Sequence, residues 1–554
     1  MKNERLNSIS RRNFIKVSAG VIATLTYDWR QFKAQAADGG SKSDFPVVVI
    51  GGGLGGLTAA AHLAHSGFPV TLVEQHDIPG GYATSFDRKR GRFSFEVSLH
   101  ATSDANGALR RALEGAGVYG KVQTVELPEL CRIVTPDYDL TWPQKNPEAI
   151  IKQLSNLFPD QATGIRGFFN EILGVLEHAM KPFDSDSWWD KIRFPITHKN
   201  MWKIRNDTLA DLLDRHVSDP KLRSILSAYW GYYGLPPSKL SGFLYAIATA
   251  DYVRHGAHYI SNRSQELSDA LMSSIEEAGG EVMLGTEATQ IDVKNGAVTG
   301  VVIDEDTQLK ARAVISNANV PATMKMATQN RGSDKIGTDL QEYLQKLKQF
   351  RPSLSSFVVW LGLSQEIKSK VKEYEIFINR GYDPEKAYQA SLACDPEKAD
   401  MLVTIYDNAL EGYSVLGTSS VTIMMLSGYE PWKRFEKDYF AGRKKAYRKQ
   451  KDHITQSLIR QVDASVLPGI REMIEVTEAA TPLTNMRYTA NPEGAIYGYE
   501  QTLENAFINR LKQKTPIKGL YLASAWTNPG GGFNPCLNSG ANAFKHLLKD
   551  LPNL

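Results

Sequence analysis

Short, unbroken apolar runs alternate along this chain with longer amphipathic stretches, and each kind predicts a different element. Pro46-Val47-Val48-Val49-Ile50 is apolar at every position and rich in β-branched residues, the pattern of a parallel strand buried on both faces. Gly51-Gly52-Gly53-Leu54-Gly55-Gly56 turns the chain, and the alanine-rich residues 57–65 predict a helix. After Gly67, Val70-Thr71-Leu72-Val73 predicts a second strand. Residues 265–278 carry Leu267, Leu271 and Ile275 at helical spacing, with Gly279-Gly280 as the stop. Residues 291–293 and 298–303 flank Asn295-Gly296, the preferred two-residue hairpin turn, and 311–315 predicts another strand. Near the far end, residues 519–525 read as a strand, and Pro529-Gly530-Gly531-Gly532-Phe533 opens a helix through 541–548.

The glycine spacing turns this pattern into chemistry. Gly51, Gly53 and Gly56 form GxGxxG between a strand and a helix: the first permits the tight turn, the second lets a diphosphate approach the backbone, the third lets helix and strand pack closely. The helix start then faces the phosphates. Glu74 ends the second strand at the distance where an acid accepts the ribose hydroxyls and would repel a 2′-phosphate. FAD and NAD share this fingerprint. Pro79-Gly80-Gly81-Tyr82-Ala83-Thr84 and the second glycine turn at 529–533 favour FAD, the latter as a helix start that could meet the electron-rich edge of a reduced flavin ring.

Composition adds class and excludes partners. A chain of 554 residues, 42% hydrophobic and 23% charged, is a globular protein of two or more units. Its 64 basic and 61 acidic side chains leave a net +3, too balanced for the broad positive field of a nucleic-acid binder. Cys131, Cys394 and Cys536 are too scattered for a zinc site or a disulfide framework. The start differs from the rest: Ser10-Arg11-Arg12-Asn13-Phe14-Ile15-Lys16, a mildly apolar run and Ala34-Gln35-Ala36 resemble a twin-arginine export signal over 1–36. That address predicts a periplasmic protein. Soluble nicotinamide is not expected there, so the redox partner is expected to be a quinone or another non-nicotinamide carrier, unless the reaction is redox-neutral.

The segments at 47–86, 93–100, 264–318 and 519–540 together resemble the phytoene desaturase, carotenoid isomerase and retinol saturase family of FAD-dependent oxidoreductases. The resemblance implies an α/β fold: a discontinuous, Rossmann-like FAD domain of the amine oxidase and phytoene desaturase type, with an inserted mixed α+β substrate domain. The expected division is FAD domain at 44–126, 255–322 and 481–554, and substrate domain at 127–254 and 323–480. It implies FAD contacts at Gly51, Gly53, Leu54, Gly55, Gly56, Glu74, Gly80, Gly81, Tyr82, Ala83, Ala288, Gly531, Gly532 and Phe533, with Trp526 beside the ring. It also implies a lipophilic, polyunsaturated substrate that is desaturated, saturated or isomerised.

Three departures stand out. Tyr259-Ile260-Ser261-Asn262-Arg263-Ser264 replaces the usual Gly-Gly pair before the middle helix, which makes approach there less open. Ser524-Ala525-Trp526 replaces Gly followed by an acid, putting the usual ribityl contact in question. Phe95-Glu96-Val97-Ser98-Leu99-His100 has Glu for Asp and Ser for Gly.

His100 is the candidate catalytic residue, since the matching family segment runs under the flavin and an imidazole can exchange a proton there; a hydrogen-bonded interface histidine is the alternative. Cys536 reads as a near-ring thiol or as a small packing residue. Trp188-Trp189-Asp190-Lys191-Ile192-Arg193-Phe194, with Trp202-Lys203-Ile204-Arg205, reads as an interfacial membrane anchor or as a packed lid. Tyr229-Trp230-Gly231-Tyr232-Tyr233 reads as tunnel lining or as core. Two other functions remain open: an amine oxidase-like flavoenzyme, and a non-catalytic lipid carrier on the same fold, as in Rab GDP-dissociation inhibitors.

Overall fold

Val47–Ile50 and Ala313–Ser316 are buried at every position, the arrangement their unbroken apolar sequences require. They lie side by side at the centre of a five-stranded sheet in the order Leu520–Leu522, Ala313–Ser316, Val47–Ile50, Val70–Val73 and Glu281–Met283. All four pairings are parallel. The structure, a computed structural model, describes residues 42–181, 188–304, 306–329, 337–506 and 509–554; the expected leader over 1–36 lies outside them. Among the described residues no helix is long and apolar enough to cross a membrane.

The α/β, Rossmann-like expectation holds, with this sheet drawn from three separated stretches of chain. The helix Leu54–His65 begins three residues earlier than its alanine run suggested, inside the glycine motif itself. It packs against the last long helix, Phe533–Asp550, so closely that a Cβ on Gly540 would overlap the Gly55 carbonyl. The hairpin of Ala288–Lys294 and Ala297–Ile303 turns at Asn295 (φ 52°) and Gly296 (φ 76°), the two positive φ values a type I′ turn demands.

A second, seven-stranded sheet runs Ile474–Ala480, Ser355–Leu363, Ser419–Ser427, Met401–Ile405, Glu375–Ile378, Cys131–Val134 and Asp139–Trp142. It is antiparallel except where Glu375–Ile378 meets Cys131–Val134. Strand side chains alternate between faces. Phe357, Val359 and Leu361, with Ile376 and Val403, share one core with Ile454 and Leu458 of the helix Lys445–Ser465. The intervening Val358, Trp360, Thr404 and Glu375 therefore occupy the opposite face, which carries the functional site. Helices between 147 and 255, chiefly Ala162–Ala179 and Gly242–His255, roof that face.

Candidate functional site

The glycine motif makes a cradle that side chains would fill. Gly51 has φ +92°, a left-handed turn that favours glycine. A Cβ on Gly56 would overlap the Gly51 carbonyl, and one on Gly55 would overlap that of Ala523. Leu54–His65 is entered from Gly53, which has no side chain to cap the first-turn amides, so those of Leu54 and Gly55 remain for an anion. Glu74, 8% exposed, is fixed by two main-chain donors: Gly52 N–H to Oε2 at 2.6 Å and His76 N–H to Oε1 at 2.9 Å. A carboxylate retains lone pairs beyond these for sugar hydroxyls. Gly80 N–H donates to the Gly52 carbonyl at 2.7 Å, laying Gly80-Gly81 beside the cradle.

One cavity of about 1600 Å³ runs from this cradle to a chamber walled by Leu176, Tyr232, Leu244 and Tyr252. Ligand pockets usually span about 300–1,000 Å³, so the space suits two occupants. Gly51, Gly53, Leu54, Gly55, Glu74, Gly80, Gly81, Tyr82, Ala83, Ala288, Trp526, Gly531, Gly532 and Phe533 all line it; Gly56 lies behind, under the first turn. Gly532, again without a side chain, precedes the helix Phe533–Asp550. Trp526 faces the cavity at its edge, but its indole packs edge-on against Tyr499 at 4.7 Å and is 2% exposed, so most of it is core. Two helix starts entered from glycine, a cradle that any Cβ would occupy and a fixed acid fit the diphosphate, ribose and ring of FAD.

His100 lies in the cavity wall, where its Nδ1 shares a hydrogen bond with Thr404 Oγ1 at 2.7 Å. Burial pushes its pKa down to about 4, so the imidazole is neutral near pH 7. Its carbonyl accepts from Tyr374 O–H at 2.5 Å. Cys536 also faces the cavity, yet burial pushes its thiol up to about 12, which favours the packing role over a thiolate. Tyr232 and Tyr233 line the chamber, while Tyr229 and Trp230 belong to the core, dividing the aromatic run between its two readings.

Two of the sequence departures explain each other. Glu96, fully buried, accepts from Tyr259 O–H at 2.6 Å and from Ser264 N–H at 2.8 Å, and Ser264 Oγ donates to its other oxygen. The acid thus caps the helix Arg263–Glu277. Burial still pushes its pKa up to about 7 against these bonds.

Sequence reasoning missed Asn317, Trp360, Thr404 and Glu375. Asn317 follows the strand Ala313–Ser316, accepts from Gly56 N–H at 3.2 Å and packs against Gly51 and Gly53. Its signal was position: it ends a strand at the carboxyl edge of a parallel sheet, where α/β folds place ligand contacts. The other three lie on strands whose pairing the sequence does not announce.

A dinucleotide cradle opening into an aromatic and aliphatic chamber defines an FAD-dependent oxidoreductase with a Rossmann-like core. The chain belongs to the flavin containing amine oxidoreductase family, whose model matches residues 54–545. It is similar to the all-trans-retinol 13,14-reductase of Danio rerio, 25% identical over 505 residues, covering 86% of this chain and 82% of the relative. It is also similar to the neurosporene-forming phytoene desaturase of Rhodobacter capsulatus, 26% identical over 525 residues, 91% of this chain and 94% of the relative. Among solved structures, an oxidoreductase from Methanosarcina mazei shares the fold with a TM-score of 0.61 at 17% identity, over 90% of this chain and all of that one.

Proposed function

We propose that this protein changes the oxidation level or geometry of a long, conjugated hydrocarbon substrate held in the chamber beside FAD. The observation that carries the reading is the continuity of the nucleotide cradle with an apolar chamber inside one cavity. The two relatives named above, a retinol reductase and a phytoene desaturase, support the same substrate class. FAD supplies the hydride or electron exchange. The chain's own groups hold the substrate extended between Leu244, Ile247 and Val358, exclude water from the ring, and set the protonation state of the wall. An anaerobic titration of the bound flavin with all-trans-retinol, phytoene, primary amines and quinols tests this. A polyene that bleaches the oxidised flavin or reoxidises the reduced one is expected; bleaching by amines alone would move the enzyme to the amine oxidase reading.

His100 contributes to this reaction as a neutral hydrogen-bonding group on the wall. His100→Phe is expected to keep its flavin and lose turnover; unchanged turnover and pH profile would remove the role. A quinone or similar carrier closes the redox cycle in the periplasm, the location that the twin-arginine-like leader over 1–36 supports. Leader-directed export of a folded, flavin-loaded reporter, abolished by Arg11→Lys with Arg12→Lys, tests the location.

Membrane contact belongs to the same proposal, because a polyene resides in lipid. On the helix Trp188–Thr197, Phe194 faces inward while Trp188 (62% exposed), Trp189 (65%), Ile192 and Ile196 are turned to solvent. Met180 is likewise exposed, and it also lines the cavity. The second part of the suspected anchor is packed instead: Arg205 lies over the Trp202 ring at 4.0 Å and Lys203 pairs with Glu171 at 3.0 Å. Replacing Trp188 and Trp189 by alanine is expected to abolish sedimentation with liposomes, and unchanged partition would remove the contact.

A further inference from the structure

Glu375 is buried beneath the floor of the chamber, and among the described residues no cation pairs with it. It opens the strand Glu375–Ile378 and stands directly opposite Thr404 on the neighbouring strand, the residue bonded to His100. Directly opposed strand residues bring their Cβ atoms to about 5 Å. From above, Tyr232 donates its phenolic hydrogen to Glu375 Oε1. Tyr232 itself lines the cavity, so the carboxyl is one hydrogen bond removed from the chamber.

The segment carrying Tyr232 is anchored near the expected ring position. Tyr497 O–H donates to the Gly231 carbonyl at 3.3 Å, and the same Tyr497 packs against Gly531 of the second glycine turn. The groups that act electrostatically on Glu375, or on which it acts, are acids and phenols. They are Glu129 and Cys131 at the start of the parallel neighbouring strand, Tyr229 and Tyr232 from the turn above, Tyr252 from the roof helix, and Tyr374 and Tyr406 beside it. Burial pushes Glu375 up to about 8, with Glu129 adding to the rise, so the carboxyl is mostly neutral near pH 7. Such a group is poised for proton exchange near neutral pH.

We propose that Tyr232 and Glu375 are a proton-exchange pair serving the substrate in the chamber, Tyr232 touching the reacting carbon and Glu375 replenishing it. The step rests on the polyene reading above. Reduction of a carbon–carbon double bond breaks its π bond and forms two C–H bonds. One carbon takes a hydride, for which reduced FAD is the two-electron donor, and its neighbour takes a proton. When Glu375 is protonated its O–H donates to the Tyr232 oxygen and the phenolic hydrogen turns to the chamber; that hydrogen goes to carbon as the Glu375 proton moves onto the phenol oxygen, so no phenolate accumulates although burial holds that phenol well above its ordinary range. Glu375 is left as a carboxylate and regains a proton from solvent after product departs. Desaturation runs the same transfers backwards, with oxidised FAD taking the hydride.

The test uses the flavin-loaded protein and two isosteric variants, Glu375→Gln and Tyr232→Phe, each checked for flavin absorbance and melting temperature. Infrared difference spectra between pH 6 and about 9.5 are expected to show a carboxylic-acid band lost through about pH 8, absent in Glu375→Gln. With whichever compound exchanges electrons with the flavin, Tyr232→Phe is expected to lower kcat by about a hundredfold or more, the usual weight of general acid–base catalysis. The wild-type rate should fall as pH passes about 8 when the substrate is reduced and rise through the same pH when it is desaturated, and either limb should vanish in Glu375→Gln. In deuterated water, one new C–D bond should appear in the reduced product. A carboxyl already ionised at pH 7 overturns the pair whatever the substrate, as does a wild-type rate and pH profile in Glu375→Gln. If no polyene reacts, the polyene reading fails by itself, and the infrared band with the variants' turnover of the compound that does react decides the pair.

Discussion

At the nucleotide end of the cavity the groups that meet a ligand are main-chain amides, held where they are because glycine leaves room. At the chamber end they are side chains, Tyr232 and His100, each hydrogen-bonded to a buried sheet residue behind it, Glu375 and Thr404. The first end is set by shape and should respond to added atoms and hardly to pH. The second is set by protonation and should respond to pH, with isosteric exchange sparing the fold and flavin binding but not turnover. A buried acid costs the fold in one charge state, whereas a glycine cradle costs it in none.

The largest effect should come from adding atoms to the cradle. In Gly56→Val the new Cβ would overlap the Gly51 carbonyl, which is backbone and cannot rotate away. Overpacking of this kind costs about 3 kcal/mol or more, and the anion site is displaced with it. The variant is expected to purify colourless, with a lowered melting temperature. A yellow variant with a normal flavin-to-protein ratio would show that the cradle does not grip the cofactor.

The next largest effect should appear at the other end and through pH alone. Burial raises Glu375 to about 8, and Glu96 and Glu129 each to about 7, all above the ordinary carboxylate value near 4.5. A raised folded-state value means that the fold favours the protonated acid. The stability it allows is fully present below about pH 4.5 and is lost as pH rises through 7 to 8. Glu171 runs the other way: burial pushes it up, but bonds from His216 and Lys203 and the charge of Arg215 outweigh that and hold it near about 2. Its contribution is complete above pH 4.5, so it does not blur the window. Denaturant unfolding at pH 5 and pH 9 should therefore show a loss that Glu375→Gln reduces by about 3 kcal/mol. An identical loss in both proteins would place Glu375 in a wetter setting than its burial indicates.

Glu74→Gln sharpens the comparison from the nucleotide side. It keeps the volume and one acceptor but removes the charge that receives Gly52 and His76 N–H. Hydrogen bonds to a charged group are worth about 2 kcal/mol, so Kd for FAD should rise roughly thirtyfold, read by titration of the apoprotein. The change should be the same at pH 6 and pH 9, in contrast to the chamber variants.

The same contrast explains what the sequence disclosed. A diphosphate cradle requires glycine at fixed spacing and an acid at a fixed distance, so Gly51, Gly53, Gly56 and Glu74 were legible one by one. The chamber floor has no such grammar. Both faces of Ser355–Leu363 are buried, so Phe357, Val359 and Leu361 do not stand out from Val358 and Trp360 by polarity. Glu375 acquires its meaning from Tyr232, far away in the chain, and from Thr404 across a strand pair. Glu96 and Ser264 were each visible as departures, and the contact that joins them was not.

Asn317 tests the division most finely, because it is a side chain working at the main-chain end. Its Oδ1 accepts from Gly56 N–H at 3.2 Å, while its Nδ2 sits where a Cβ on Gly53 would fall. Its own N–H donates to the Ile50 carbonyl at 2.7 Å, which ties the glycine turn to the strand beside it. Asn317→Ala removes one neutral hydrogen bond and a wedge between two glycines, a loss of about 1 kcal/mol. FAD binding should weaken about fivefold, with melting of the apoprotein nearly unchanged, since the backbone tie survives. Asn317→Asp should do worse than alanine, because a carboxylate placed there faces the diphosphate as a like charge. If the aspartate variant bound FAD as tightly as the parent, the phosphates would lie elsewhere, and the nucleotide end would depend on side chains as much as the chamber does.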